Sequence, residues 1–394
     1  MKYNSAYLKQ WSQEVSRHFP NLSLPQVSGL ATWSFGMMMS RSSSLTQVSE
    51  CIAQVNGEKF TNVRQRLQQW YKEKRQAYGR KYAELDVASC FAPLLKWVLE
   101  LLGESDDLFL ALDATHIGQK FIVLSLNVLY RGSGIPVAWK IVKASQKHPW
   151  KPLWQDLLRR LSGVVPESVR VWVLADRGLY ACWLYEEIVA LGWHPLLRIN
   201  SQGYYQVRSG ETLADWQPLE QVVRVGESFS QPVRCFRQNP LDCTLLARWD
   251  EDYKDPWLLL SDASPQSASA AFYGFRSWTE AAYRDLKSDG FNWQRTRLTH
   301  PHRAECLWLA MSVALLWLIT EGACREDSQK PSTSPRTDSD STGLAAATLR
   351  PRTLSCWRLG CISFVVRLFQ GLPLSWGRHR TSPYPGASLA FDTS

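Results

Sequence analysis

Alternating apolar segments in the middle of the chain constrain its fold more than any other feature of the sequence. The pattern predicts strands over 108–112, 121–130 and 135–142, a helix over 150–161, a strand over 169–174, a helix over 180–191 and a strand over 195–199. Three consecutive strands followed by alternating helix and strand are typical of a mixed sheet covered by helices. We therefore predict an α/β fold of the mixed α+β kind.

Segments of different composition surround these strands. Residues 1–95 carry helical patterns and predict an N-terminal helical region, and residues 96–321 predict the main domain, with a mostly β insertion at about 201–256. Residues 322–394 are rich in Ser, Thr and Pro at their start and predict a low-complexity, disordered tail, in which only 354–369 favours a short amphipathic helix. The apolar run 306–319 is shorter than the ~20 residues that a membrane span needs, so we expect a buried helix and no membrane.

The basic charge of the chain indicates a polyanionic partner. The 394 residues carry a formal charge of +9, and residues 1–95 hold 12 Lys and Arg against 6 Asp and Glu. Between positions 59 and 81 there are eight cations and one anion. Two interpretations remain open for this segment, a solvated helix surface and a contact with the DNA backbone. The candidate DNA-binding residues here are Arg64, Arg66, Lys72, Lys74 and Arg75.

The nine cysteines bear on the compartment in which the chain works. They include no Cys-x-x-Cys pair, and their odd number argues against a disulfide framework. The N-terminus lacks the apolar core of a secretory signal. These features predict reduced thiols and a cytoplasmic location.

Three acidic residues are candidates for chemistry. Asp113 and Asp176 each follow an apolar strand, where a carboxylate is partly desolvated and requires a cation or a donor. A capping or turn role is the alternative for each of them taken alone. The third candidate is Glu280, in a helix predicted over 266–287.

Helical geometry groups the polar residues around Glu280. At about 100° per residue, Tyr273, Arg276, Glu280, Arg284 and Lys287 share one face of the predicted helix. An ordinary solvated face with an ion pair between Arg276 and Glu280 is the alternative. The spacing Tyr-x2-Arg-x3-Glu-x6-Lys is nevertheless specific.

Two upstream segments accompany this spacing. LFLALDATHI contains Asp113 and VWVLADRGLY contains Asp176, with separations of 63 residues between the two aspartates and 104 from the second aspartate to Glu280. Together these motifs resemble the bacterial insertion-sequence DDE transposases of the Tyr-Arg-Glu-Lys signature group. The resemblance spans roughly residues 90–320.

The resemblance implies an RNase H-like sheet and a cut-and-paste reaction on DNA. It implies that Asp113, Asp176 and Glu280 hold two Mg²⁺ or Mn²⁺ ions, and that Tyr273, Arg276 and Lys287 hold phosphates of the transposon end. Arg284 shares their face and is a further candidate for a backbone contact. The implied partners are double-stranded DNA with terminal inverted repeats, target DNA and a second copy of the chain, with action at the bacterial nucleoid.

Two other functions remain compatible with these residues. One is an RNase H-like nuclease that cuts DNA without joining its ends to a target. The other is an inactive DNA-binding protein derived from a transposase, an alternative that the unusual composition of residues 322–394 supports.

Overall fold

The structure, a computed structural model, describes residues 2–72, 84–103, 105–147, 149–288, 290–328 and 354–374. Its helices are α1 (Lys2–His18), α2 (Leu24–Ser40), α3 (Leu45–Asn56), α4 (Phe60–Trp70), α5 (Phe91–Leu102), α6 (Trp150–Leu161), α7 (Cys182–Ala190), α8 (Trp278–Lys287), α9 (Pro301–Ser328) and α10 (Cys356–Gln370). Its strands are β1 (Asp107–Ile117), β2 (Phe121–Tyr130), β3 (Ser133–Lys143), β4 (Arg170–Ala175), β5 (His194–Arg198), β6 (Tyr204–Ser209), β7 (Thr212–Leu213), β8 (Gln217–Pro218), β9 (Ser228–Cys235), β10 (Leu241–Arg248) and β11 (Trp257–Ser261).

One continuous mixed sheet organises the chain. Its strand order is β3-β2-β1-β4-β5-β11-β10-β9-β6-β7, and β8 pairs with β6. Strands β1, β2 and β3 are antiparallel neighbours, whereas β4 is parallel to both β1 and β5. This order and these directions are those of an RNase H-like sheet, and the predicted α/β fold class is confirmed.

Strands from the segment 201–256 extend the same sheet. Strand β10 pairs with β11 and β9, and β9 in turn pairs with β6, all antiparallel. The chain therefore leaves the sheet after β5, adds a meander of β strands, and returns through β11 beside β5. This meander lies on the far side of β11 from the central strands.

The ends of two central strands bring the predicted aspartates together. The parallel ladder between β1 and β4 ends where Leu112 pairs with Ala175, so Asp113 and Asp176 are the next residues on neighbouring strands. Strand β1 itself continues past Asp113 to Ile117 because it stays paired with β2. The prediction that the first strand stops at Asp113 was wrong in this respect.

The helices at the two ends of the chain share one hydrophobic core. Trp11 of α1 lies 5.7 Å from Trp97 of α5 and 6.2 Å from Trp317 of α9, measured between ring centroids. The expected boundary at residue 95 falls inside α5. Helix α9 is long and apolar enough to cross a membrane, but its most apolar 18-residue window is entirely buried inside the protein. It is a buried helix, as its sequence predicted.

The single helix predicted over 266–287 is two helices of different kinds. Ala270–Ser277 is a 3-10 helix, which Ser269 caps by accepting a hydrogen bond from the backbone N–H of Ala271, and α8 begins only at Trp278. With three residues per turn, side chains three positions apart are eclipsed. Phe272 and Phe275 accordingly both pack on Phe109 of β1, at 5.1 and 4.9 Å between ring centroids.

The predicted disordered tail differs from the structure at its start, where a helix continues, and agrees with it over 354–369, where the predicted short helix is α10. The rest of the predicted tail, 329–353 and 375–394, lies outside the described residues. Helix α9 continues to Ser328, and α10 packs against α9 with Trp357 and Phe364 fully buried. Helix α10 is buried because it approaches α9 closely, and this close contact depends on one glycine in each helix. A Cβ added at Gly360 would lie 1.7 Å from the carbonyl oxygen of Leu318, and one at Gly322 would lie equally close to that of Cys356.

This contact predicts that replacing a helical glycine by alanine lowers the free energy of unfolding, the opposite of the usual effect. Gly→Ala inside a helix ordinarily stabilises a protein by roughly 0.5–1 kcal/mol. We expect Gly360→Ala to destabilise the chain by about 1–3 kcal/mol, because the added methyl group meets backbone that cannot move aside. Denaturant unfolding checks this, with Val366→Ala on the exposed side of α10 as the control. A stabilised Gly360→Ala protein would contradict the packing of α10 against α9.

Candidate active site

Three acidic side chains from β1, β4 and α8 face one guanidinium group. The Nη2 atom of Arg276 lies 3.5 Å from Oδ1 of Asp113 and 3.7 Å from Oδ2 of Asp176, and its Nη1 lies 3.7 Å from Oε1 of Glu280. The three carboxylates, 63 and 104 residues apart in the chain, are thus gathered at one edge of the sheet. This is the edge at which α/β sheets commonly bind ligands.

Asp113 is the most buried of the three carboxylates. Its side chain is 16% exposed, against 39% for Asp176 and 73% for Glu280. Burial raises the pKa of Asp113 above its ordinary value, and the charges of Asp176 and Glu280 raise it further, although Arg276 and the backbone N–H of Ala114 oppose this. A carboxylate in this position favours a cation beside it.

Asp176 is held in its ionised form. Burial raises its pKa, but Arg276, the backbone N–H of Arg177, the Tyr273 hydroxyl and Arg198 together outweigh burial, so the pKa of Asp176 lies below its ordinary value. The Tyr273 hydroxyl donates to Oδ1 of Asp176 at 3.2 Å. The same hydrogen bond and burial raise the pKa of Tyr273, which stays protonated.

Lys287 and Arg284 also belong to the predicted helix face, and one is half-buried against β1 whereas the other is exposed. Lys287 donates to the Thr115 hydroxyl on β1, and burial lowers the pKa of its ammonium group. Arg284 is exposed. The 3-10 turn places Tyr273 and Arg276 on one row, since they are three residues apart. The structure therefore brings Tyr273, Arg276 and Glu280 into direct contact with the aspartates or with one another, while Arg284 lies outside this cluster.

The three carboxylates are the donors that a divalent metal would use in this site. Within the described ranges, no three His, Cys, Asp or Glu side chains are close enough to one another to hold a metal ion in this arrangement. The carboxylates meet the guanidinium of Arg276 instead. Three carboxylates without a His or Cys are nonetheless the oxygen ligands that Mg²⁺ and Mn²⁺ prefer, and they already surround a cation. The chemistry of these donors suits such an ion, whereas their present spacing, around Arg276, does not.

The basic segment before the sheet is described only in part. Arg64 and Arg66 lie on α4, exposed, and Lys72 follows its end. Arg66 is paired with Glu58, 2.8 Å away, which offsets part of its charge. Lys74 and Arg75 lie outside the described residues. A contact of this segment with DNA stays a prediction.

Arg198 is a site residue that the sequence did not reveal. It ends β5, the strand beside β4, and its Nη1 lies 3.9 Å from Oδ1 of Asp176. Arg198 also lines a cavity of about 290 Å³ together with Arg177, the residue after Asp176. The other lining residues are Ile199, Asn200, Ser201, Gln202, Asp255, Pro256 and Leu258. Its position directly after the apolar strand Pro195–Leu197 was the available signal, because strand ends meet at one edge of a sheet.

Tyr283 is a second residue of this kind. Its hydroxyl lies 2.7 Å from Oγ of Ser125 on β2 and 3.5 Å from the carbonyl oxygen of Asp113. Burial raises the pKa of the phenol, which is therefore neutral and can donate. Tyr283 holds α8 against β1 and β2. It therefore helps to position Glu280 of α8 relative to Asp113 of β1.

The fold and the acidic strand ends define a protein of the RNase H-like, DDE type. The family model described as "Transposase DDE domain" matches residues 104–317, more than half of the chain. The chain belongs to this family of DDE transposases. No curated protein matches it.

Solved structures were also compared with the chain. Among those similar to it is the cryo-EM structure of the piggyBac transposase synaptic complex with hairpin DNA, which is 11% identical in sequence. The alignment covers 94% of this chain and 77% of that chain, with a TM-score of 0.43.

Proposed function

We propose that the chain is a transposase of the Tyr-Arg-Glu-Lys group that cuts DNA at transposon ends and joins the 3′-hydroxyl ends to target DNA. The observation that carries this proposal is the convergence of Asp113, Asp176 and Glu280 on Arg276. It is supported by the family, which is one of transposases. A bacterial insertion-sequence origin belongs to the same proposal.

The proposed metal site consists of the three carboxylates. Asp113, Asp176 and Glu280 would hold two Mg²⁺ or Mn²⁺ ions, and such a pair activates the attacking oxygen and stabilises the leaving oxygen at phosphorus. Asp113, the most buried of the three carboxylates, would be the ligand best shielded from solvent. The polar residues around this site would bind the DNA and orient the scissile phosphate.

Three side chains are proposed to hold DNA phosphates. Arg276 offers the planar fork that suits a phosphate, Lys287 offers an ammonium group beside β1, and Tyr273 offers a neutral hydroxyl. Arg284, exposed on α8, would contact the DNA backbone further out. Arg198 adds a second guanidinium near Asp176, and the cavity that it lines can take a neighbouring phosphate.

The partners follow from this reaction. They are double-stranded DNA with terminal inverted repeats, a target DNA and a second copy of the chain, so that two ends are cut in one complex. Action in the cytoplasm at the bacterial nucleoid belongs to the same proposal. The exposed Arg64, Arg66 and Lys72 would contribute salt-sensitive backbone contacts.

The test uses the purified full-length chain, Mg²⁺ and a duplex ending in the inverted repeat that borders the gene. We expect cleavage at the repeat boundary, and we expect pre-cut ends with free 3′-hydroxyls to be joined to a target plasmid. Cleavage without joining would favour the non-transposing nuclease. Metal-independent binding without cleavage would favour the inactive DNA-binding protein.

A further inference from the structure

The position of Arg276 among the three carboxylates bears on when metal can enter the site. Its guanidinium stands 3.5–3.7 Å from one oxygen of each carboxylate. A divalent ion held by these carboxylates would compete with the guanidinium for the same negative charge, and the two cations would repel each other. The carboxylates can therefore be neutralised either by Arg276 or by metal, but not fully by both.

The contacts of Arg276 leave it free to exchange partners. Charge-assisted hydrogen bonds of arginine with carboxylates are about 2.7–2.9 Å long, shorter than all three distances here. The Nε atom of Arg276 is buried and has no hydrogen-bond partner among the described residues. The guanidinium group thus makes no short hydrogen bond to the three carboxylates, and a ligand offering a bidentate contact would compete well for it.

Such a ligand is the DNA phosphate of the proposed reaction. We infer that Arg276 occupies the metal site in the absence of DNA, and that a DNA phosphate draws the guanidinium away and thereby admits the divalent ions. This inference rests on the proposed function and adds an order of events to it. Metal and DNA then bind cooperatively, and the coupling is reciprocal. Free enzyme is kept from cutting unrelated DNA because its carboxylates are not loaded.

The experiment measures Mn²⁺ binding to the full-length chain without DNA, by electron paramagnetic resonance of free Mn²⁺. We expect Arg276→Gln to bind Mn²⁺ at least about fivefold more tightly than the unchanged chain, within the usual range of coupling between sites. Arg276→Lys keeps a cation among the carboxylates and is expected to bind as weakly as the unchanged chain. Arg160→Gln, which removes an equal charge paired with Asp156 on α6, is the matched control.

A second arm adds the inverted-repeat duplex in the same titration. The duplex is expected to raise the Mn²⁺ affinity of the unchanged chain and to change that of Arg276→Gln much less. Thermal melting in EDTA establishes that each variant is folded, and Arg276→Met, which also removes the cation, replaces Arg276→Gln if that variant does not fold. Equal Mn²⁺ affinities for the unchanged chain and Arg276→Gln would overturn the inference.

An additional variant separates this inference from the proposed function. With the inverted-repeat duplex present, Asp113→Asn should bind Mn²⁺ much more weakly than the unchanged chain, whether or not Arg276 competes with the metal. If Asp113→Asn binds Mn²⁺ like the unchanged chain, the proposed metal site itself is wrong, and the inference falls with it. If Asp113→Asn loses the metal but Arg276→Gln does not gain affinity, only the role of Arg276 is overturned.

Discussion

Replacing Asp113 by Asn is expected to lower the rate of DNA-end cleavage by at least ~10³-fold, about 4 kcal/mol of transition-state stabilisation. Asn has the same shape as Asp but lacks its negative charge, so the proposed site loses its most buried metal ligand. The fold should survive, because the neighbouring charges of Asp176 and Glu280 disfavour the ionised form of Asp113. The measurement is single-turnover cleavage of an inverted-repeat duplex in Mg²⁺, with thermal melting beside it.

Glu280→Gln tests a second proposed metal ligand by the same cleavage measurement. The Glu280 side chain is 73% exposed and touches only Arg276 among the site residues, so its loss should not affect folding. We expect a comparable loss of cleavage, with binding of the DNA end retained. Asp156→Asn on α6 changes the charge of the chain equally and lies outside the site, which makes it the control. Normal cleavage by either site variant would contradict the proposed mechanism.

Local signals in the sequence were sufficient for much of the fold. A cap at Ser44 or Thr46 and a stop at Asn56-Gly57 predict a helix between them, and the structure has Ser44 directly before α3 and Gly57, with a φ of 67°, directly after it. The bounds of β2 and α6 also agree with the predicted ranges 121–130 and 150–161. Each of these elements is specified by its own caps, turns and periodicity, without help from distant residues.

The segment before α8 shows where local signals failed. Between Ala270 and Ser277 the apolar spacing is compatible with an α-helix, and nothing in it specifies three residues per turn. In the 3-10 form Phe272 and Phe275 are eclipsed, and both pack on Phe109 of the sheet, a contact that the local sequence does not specify. The prediction that Tyr273 and Arg276 lie on a shared face survived this error, since residues three apart are neighbours in both helices.

The site itself was predictable in its members but not in its arrangement. The motif indicated Asp113, Asp176, Glu280 and Arg276, yet nothing in the spacing placed the guanidinium between the carboxylates. Arg198 was missed because it enters the site through the order of strands β4 and β5, a property of the sheet rather than of any one segment. Side chains that meet only through tertiary pairing leave no periodic signal.

Helix α10 was predicted from the sequence, over 354–369, but its packing against α9 was not. Its apolar residues occur on several sides, and Ile362, Val365 and Phe369 remain exposed, so the amphipathic pattern is weak. Its burial depends on Gly322 of α9 as much as on Gly360 of its own. A contact made by two glycines in different helices cannot be deduced from the composition of either one.

Replacing Trp357 by Ala is the stability test of this helix. The indole is 1% exposed, stacks under the guanidinium of Arg41 at 4.4 Å, and meets the ring of Phe291 at 6.5 Å. It therefore joins α10 to the end of α2 and to the segment that follows α8. Truncating a buried Trp leaves a large cavity, and we expect the free energy of unfolding to fall by about 3–5 kcal/mol.

The control for this substitution lies on the same helix. Phe369 is 88% exposed, so Phe369→Ala should change the free energy of unfolding by less than ~0.5 kcal/mol. Denaturant titration of the full-length chain, followed by circular dichroism and by tryptophan fluorescence, compares the two variants. The segment after α8, which Trp357 contacts through Phe291, follows directly on Lys287 of the site. Loss of Trp357 should therefore also make the position of Lys287 less well defined and lower the rate of DNA-end cleavage. Equal unfolding midpoints for the two variants would mean that residues 356–370 fold independently of the catalytic sheet.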